Sequence, residues 1–135
     1  MSEVDKNKET FSKFLAATTA LDLDLLDKLL AEDLEHIVPG TCFVSRSYTK
    51  SEFIDGAKGV IECVQESIQF DIQTLTAEDD RVSCIAQWKS KATDGKDYNN
   101  LYHFMFHIRN GQIYKGYEFM DTCLVDEVLK PIAEL

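Results

Sequence analysis

Positive charge is scarce in this sequence: 14 Lys and Arg stand against 24 Asp and Glu, a formal net charge of -10, and no basic cluster interrupts the excess. Such a surface repels a phosphate backbone, which argues against nucleic acid as a partner. Long apolar runs are missing too. The start, MSEVDKNKET, is charged, and no later window approaches the roughly 18 apolar residues of a membrane span. A soluble, cytoplasmic protein with no membrane partner is expected. The cysteines Cys42, Cys63, Cys84 and Cys123 form no Cys-x-x-Cys pair and have no His at zinc-type spacing, so they read as reduced, mostly buried thiols. No Gly-x-Gly-x-x-Gly, P-loop, Gly-x-Ser-x-Gly or His-Glu-x-x-His pattern occurs, so neither a nucleotide cofactor nor a familiar hydrolase motif has support. Linkers, internal repeats and low-complexity segments are absent as well. The 135 residues make one domain, 1–135, large enough to bury about two thirds of its unfolded surface.

What is present is a change of period. Phe11, Phe14, Leu15 and Thr18 fall on one helix face, and Leu25, Leu26, Leu29 and Leu30 repeat the spacing after a break that Asp22 or Asp24 can cap. A short strand, Leu34 to Val38, should stop at Pro39-Gly40. Thr49 and Glu52 form a capping box ahead of the stripe Phe53, Ile54, Ala57, Val60, Ile61 and Val64, which predicts a helix over 50–64. From Ser67 the period becomes two, through Ile68–Ile72, Val82–Trp88, Tyr98–Ile108 and Ile113–Asp121. Short breaks between these four strands predict an antiparallel meander. Leu124, Val125, Val128 and Leu129 suggest a closing helical turn that ends before Pro131. The expected architecture is α+β: a curved antiparallel sheet shaped into a cone, with helices on its concave face and a cavity at its mouth.

The strand over 97–109 puts Tyr98, Asn100, Tyr102, Phe104, Phe106 and Ile108 on one face, which suits the inside of the cone. The other face carries Leu101, His103, Met105 and His107, too apolar to be left in water, and is expected to form a homodimer interface. His103 and His107 would be metal partners only on a helix; on a strand they stand about 13 Å apart, so no metal site is expected. In the last strand, alternation places Lys115, Tyr117, Phe119 and Asp121 on one face and Tyr114, Gly116, Glu118 and Met120 on the other. The face with the aromatics is taken as the inner one, so Asp121 is expected in the cavity. A carboxylate in an apolar pocket can accept and return a proton near neutral pH. Its competing role is to cap the closing helix, since Asp-Thr precedes an apolar run.

His36 alternates with Leu34 and Val38 on the presumed inner face and can pair with a pocket carboxylate, although a core histidine is the blander alternative. Trp88 reads as core or pocket wall. Tyr102 and Asn100 can orient a carbonyl or hydroxyl, or bond only each other. With Phe104, Tyr117 and Phe119, these residues complete the expected substrate-binding set, with Asp121 and His36 as the catalytic pair. The ligand expected is a small apolar carbonyl or hydroxyl compound. Read instead as a binding protein, the domain leaves Asp121 a purely structural cap; read as a dimeric interaction module, it is expected to have a closed or filled pocket and an exposed apolar patch beyond the dimer surface.

Pro39-Gly40 after the first strand, Tyr98-Asn-Asn-Leu-Tyr-His-Phe, Asn110-Gly-Gln-Ile and Glu118-Phe-Met-Asp-Thr together resemble the SnoaL-like branch of the nuclear-transport-factor-2-like superfamily. The likeness spans roughly residues 8 to 130. It implies a cone-shaped, cystatin-like α+β fold, dimeric through its outer sheet face, with a deep pocket and no cofactor. Polyketide cyclases, ketosteroid isomerases, limonene epoxide hydrolases and dehydratases belong there, beside proteins of unassigned role. The acid that closes the last strand in the cyclases and epoxide hydrolases corresponds to Asp121. The Arg and further Asp of the epoxide hydrolases have no counterpart, since the inward positions here hold Asn100, Tyr102 and Phe104. Relatives often carry a tryptophan where this chain has His36. Fold alone does not fix function in so versatile a scaffold.

Overall fold

The computed structural model describes residues 1–65 and 68–134, and Ser67, where the change of period was placed, lies outside them. The chain begins with α1 (Glu3–Ala20), whose first turn is capped when the Ser2 hydroxyl accepts the Asp5 amide at 3.1 Å. Helix α2 (Leu23–Leu29) follows, with Asp22 rather than Asp24 as its cap. The first strand, β1 (Leu30–Val38), starts four residues earlier than its apolar alternation suggests, directly from the end of α2. A three-residue strand, β2 (Arg46–Tyr48), is too short and too exposed to leave a periodic signal. The expected capping box on Thr49 and Glu52 opens α3 (Lys50–Glu62). Lys50 is buried there, its ammonium held by Asp27 at 2.9 Å and Glu32 at 2.8 Å, which ties α3 to α2 and β1.

Four strands then run antiparallel: β3 (Gln69–Glu78), β4 (Arg81–Lys91), β5 (Asp97–Arg109) and β6 (Gln112–Phe119). The β5–β6 turn is Asn110-Gly111 with both φ angles positive, 53° and 75°, the geometry that suits the twist of a hairpin. The sheet order is β2-β1-β6-β5-β4-β3, curved and open at both edges. The expectation of a wholly antiparallel sheet needs correction at one place, because β1 lies parallel to β6, with His36 beside Gly116. The long connection through β2, α3 and the meander makes that parallel closure possible.

The helices cover one face of this sheet. Phe11 and Phe14 of α1 meet Phe106 edge-on at 5.4 and 5.0 Å between ring centres, and α3 brings Phe53 against Phe14 at 5.8 Å. Such edge-to-face contacts add about 0.5–1.5 kcal/mol each to the area they bury. A closing helix, α4 (Thr122–Leu124), widens through a π turn at Val125–Leu129 and tightens again into α5 (Lys130–Ala133). Pro131 therefore does not end the helical segment. It sits in the first turn of α5, where the widened turn has already rearranged the ladder that proline cannot join.

Two bulges decide which residues face the helices. In β3 the register shifts between Ile72 and Thr74, so beyond it Leu75 and Ala77 take over the inner face, opposite Cys84 and Val82. In β6 the shift falls between the pairs Ile108–Ile113 and His107–Lys115, so Tyr114 is an extra residue. Side chains alternate strictly along a strand, hence one extra residue exchanges the two faces for everything beyond it.

Candidate functional site

Tyr114 is held in its bulge by its own side chain, which hydrogen-bonds the Asp80 carboxylate, with His107 Nδ1 3.3 Å from the same oxygen. Beyond the bulge Phe106 pairs with Gly116 and Phe104 with Glu118, so Gly116 and Glu118 face inward. Tyr117 and Phe119 are turned to the outer face, where their rings stack on each other at 6.2 Å and Phe119 meets His103 at 6.3 Å. The inner-face assignment of Tyr117, Phe119 and Asp121 is thereby overturned. Without the extra residue Phe104 would sit opposite Tyr117, as simple alternation from the Asn-Gly turn implies.

Asp121 lies past the end of β6 and caps α4: one carboxylate oxygen accepts the amides of Cys123 at 3.0 Å and Leu124 at 3.2 Å. Its side chain is exposed and lines no part of the cavity. The acid that does reach the cavity is Glu118. There it meets His36, whose Nε2 lies 3.2 Å from Glu118 Oε1, with the histidine side chain only 3% exposed and the glutamate 20%. Glycine at 116 makes this possible, because a β-carbon there would fall 2.8 Å from His36 Nδ1 and 2.9 Å from the Phe106 ring. Phe53 packs edge-on against the imidazole at 4.6 Å, fixing its plane.

The cavity measures about 110 Å³ and lies between α1, α3, the sheet and the closing helix. Its walls are apolar: Phe53, Ala57 and Val60 from α3, Phe70 and Trp88 from the sheet, Leu129 from the closing segment. Trp88 turns its indole N–H away to Ser90 Oγ at 2.6 Å, leaving its ring as wall. Of the other expected binding residues, Tyr102 lines the cavity and stacks on Trp88 at 5.5 Å. Phe104 lies deeper in the core against Phe11 at 5.7 Å, and Asn100 stands behind the wall, 1% exposed. Glu118, Tyr98, Tyr48, Thr18 and Thr19 are lining residues outside the expected binding set, and of these Glu118 is the one that alternation had assigned to the opposite face.

Tyr98 and Tyr102 share a hydrogen bond of 2.8 Å between their hydroxyls. Burial pushes the Tyr98 phenol up to about 12 and the Tyr102 phenol well above its ordinary value, and the Glu118 charge adds to both shifts. Both hydroxyls therefore keep their protons at any physiological pH. Glu118 and the phenol pair border a common space with opposite abilities, a carboxylate that accepts and a hydroxyl that donates a hydrogen bond.

On the outer face Leu101, His103, Met105 and His107 lie together as expected, with Leu101 50% exposed and Phe119 beside them 46% exposed. His103 Nε2 contacts Ser83 Oγ at 2.6 Å and His107 is engaged with Asp80, so neither belongs to the cavity. No cluster able to hold a metal ion occurs among the described residues. Among the described residues no helix is long and apolar enough to cross a membrane. All four cysteines are free thiols, Cys42, Cys63 and Cys84 buried and Cys123 exposed.

Helices packed on one face of a curved open sheet agree with the comparisons to known proteins. The SnoaL-like domain family matches residues 11–116, and the chain belongs to that family. Among solved structures it is similar to Bal32a from a soil-derived mobile gene cassette, with 21% identity, 95% of this chain and 99% of that one covered, and a TM-score of 0.84. A protein of Jannaschia sp. CCS1, provisionally named a SnoaL-like polyketide cyclase, is 15% identical over 96% of this chain and 95% of its own, at a TM-score of 0.81. A protein of Kribbella flavida DSM 17836, provisionally named a ketosteroid isomerase, is 14% identical over 89% and 81% respectively, at 0.70. The comparison with curated proteins gives no match.

Proposed function

We propose that the cavity takes a small apolar compound bearing a carbonyl or hydroxyl group and that the His36–Glu118 pair moves a proton on it, in a reaction of the isomerase, cyclase or dehydratase type. The observation that carries this reading is a carboxylate and an imidazole 3.2 Å apart at the edge of an otherwise apolar cavity. Apolar walls screen charge less than water does, which strengthens the interaction between such groups. Glu118 Oε1 is engaged by His36, while Oε2 has no hydrogen-bond partner among the described residues and is the oxygen that accepts a proton from substrate. His36 positions the carboxylate and stabilises its charge before the proton is taken and after it is returned. In an isomerisation the proton taken from a carbon beside a carbonyl returns to the same or a conjugated carbon; in a dehydration it goes to the departing hydroxyl, which leaves as water; in a ring closure it goes to the oxygen of the carbonyl attacked, so each balances without an electron acceptor. The names of the cyclase and isomerase neighbours are in keeping with such chemistry.

The test uses 1-indanone in D2O, with exchange at the carbon next to the carbonyl followed by NMR. The wild-type protein should accelerate exchange, Glu118→Gln should lose about 100-fold or more, and Asp121→Asn should keep most of the rate. Thermal unfolding and indanone binding serve as controls for fold and site. Binding without accelerated exchange in the wild type would reduce the protein to a carrier of apolar metabolites.

The same reading includes a homodimer through the outer face, supported by the exposed Leu101 and Phe119 beside Met105. Sedimentation at micromolar concentration should give the mass of two chains. A cytoplasmic setting is supported by four free thiols, since such thiols persist in a reducing compartment.

A further inference from the structure

Behind the cavity wall the hydrogen bonds of Asn100 have a fixed direction. Its Oδ1 accepts the Asp121 amide at 3.0 Å, and its Nδ2 donates to the Asp121 carbonyl at 3.1 Å and to the Tyr98 hydroxyl at 2.9 Å. Turning the amide over would set donor against donor and acceptor against acceptor at the Asp121 backbone, so only one orientation is compatible with both bonds. Both Nδ2 hydrogens are thereby occupied, and Asn100 has no donor left for a ligand. The Tyr98 oxygen is an acceptor from Asn100, so its own proton must go elsewhere. Tyr98 is 0% exposed, and the Tyr102 hydroxyl is the acceptor beside it. A buried hydroxyl proton without an acceptor is costly, which directs the shared bond from Tyr98 to Tyr102. The Tyr102 proton is then the one left over, on a residue that is 4% exposed and lines the cavity.

We infer that Asn100 is a positioning residue that sets the polarity of a chain running Asn100 to Tyr98 to Tyr102, so that the cavity offers a ligand one hydroxyl donor and selects compounds presenting a hydrogen-bond acceptor. This rests on the cavity being a ligand site, but not on its catalysing anything. It narrows the ligand class from carbonyl or hydroxyl compounds to apolar compounds whose acceptor oxygen meets Tyr102. The raised phenol pKa values of both tyrosines keep the donor in place.

Three bicyclic probes of similar size separate the possibilities by calorimetry: 1-indanone carries an acceptor only, indole a donor only, and indane neither. Wild-type protein should bind indanone about tenfold or more tighter than indane; indole, whose N–H can reach only an acceptor such as the Glu118 carboxylate, should be insensitive to Tyr102→Phe. Tyr102→Phe should abolish the indanone preference while leaving indane affinity within about twofold, and Tyr98→Phe should leave a preference for indanone. Asn100→Asp replaces the donor to Tyr98 by an acceptor, which reverses the chain. The indanone preference should fall and indole should become the better ligand, an inversion that loosened packing alone would not produce. Indanone bound no tighter than indane by the wild type would overturn the polarity and leave the cavity a ligand site. Saturable binding of none of the three would overturn both. Should Asn100→Asp fail to fold, the two tyrosine variants decide: an indanone preference that survives in Tyr102→Phe overturns the assignment.

Discussion

Gly116 shows how much a single missing β-carbon can decide. It lies opposite Phe106 on one side and beside His36 of the parallel strand on the other, and both rings occupy the space that any side chain would need. The neighbours are a buried imidazole and a core phenyl ring, neither of which is a flexible side-chain end. Gly116→Ala should therefore destabilise the protein by about 1–3 kcal/mol, as overpacking of a filled core does. More specifically, it should push His36 away from Glu118. The checks are chemical denaturation for the first effect and the imidazole NMR shifts for the second; an alanine variant with unchanged stability and unchanged His36 resonances would contradict this packing. Glu118 and Asp121 make the complementary point that residue type alone does not assign a role. Two acids three positions apart end in different surroundings, one beside an imidazole in the cavity and the other on the amides of a helix start.

The elements divide by how locally they are determined. Helix α3 was legible because Thr49 and Glu52 act on each other within one turn, and the β5–β6 hairpin because Asn110-Gly111 suits positive φ. The inner face of β5 was legible because all six of its inward residues from Tyr98 to Ile108 are buried, in strict alternation. What could not be read depends on partners far along the chain: the parallel pairing of β1 with β6, and the bulge at Tyr114. Both faces of β6 carry an acid and apolar groups, so alternation does not choose between them. The one local hint was Gly116, a glycine within a strand, which marks a bulge or a close approach. The bulge itself is pinned by Asp80, whose carboxyl is held below its usual range chiefly by the Tyr114 hydroxyl, with His107 adding to the effect against a smaller opposing influence of burial. A carboxyl with a depressed folded-state pKa contributes stability that is present above its unfolded value near 4 and lost as pH falls through the folded value. Urea midpoints measured from pH 5 down to pH 2 should accordingly fall more steeply for the wild type than for Asp80→Asn. Parallel slopes would mean that this contact does not hold the turn.

At the scale of the whole molecule the sheet separates two environments with different tasks. The inner face, closed by helices, holds the one carboxylate–imidazole pair found there among the described residues, and the outer face leaves Leu101 and Phe119 open to solvent. Leu101→Glu places a charge at the centre of the proposed dimer contact, and it should halve the sedimenting mass while leaving the circular dichroism of the chain unchanged. A wild type that already sediments as a single chain would remove the dimer from this account. The bulge at Tyr114 also bears on how members of this family are to be compared. A strand carries information in the parity of its residue numbers, and a single inserted residue changes odd to even for all that follows. Two relatives aligned letter by letter through β6, one with the extra residue and one without, would match an acid that faces the cavity to a residue that faces outward. Equivalence between their sites has to be established by counting from the cavity, since identical letters in the alignment can stand on opposite sides of the sheet.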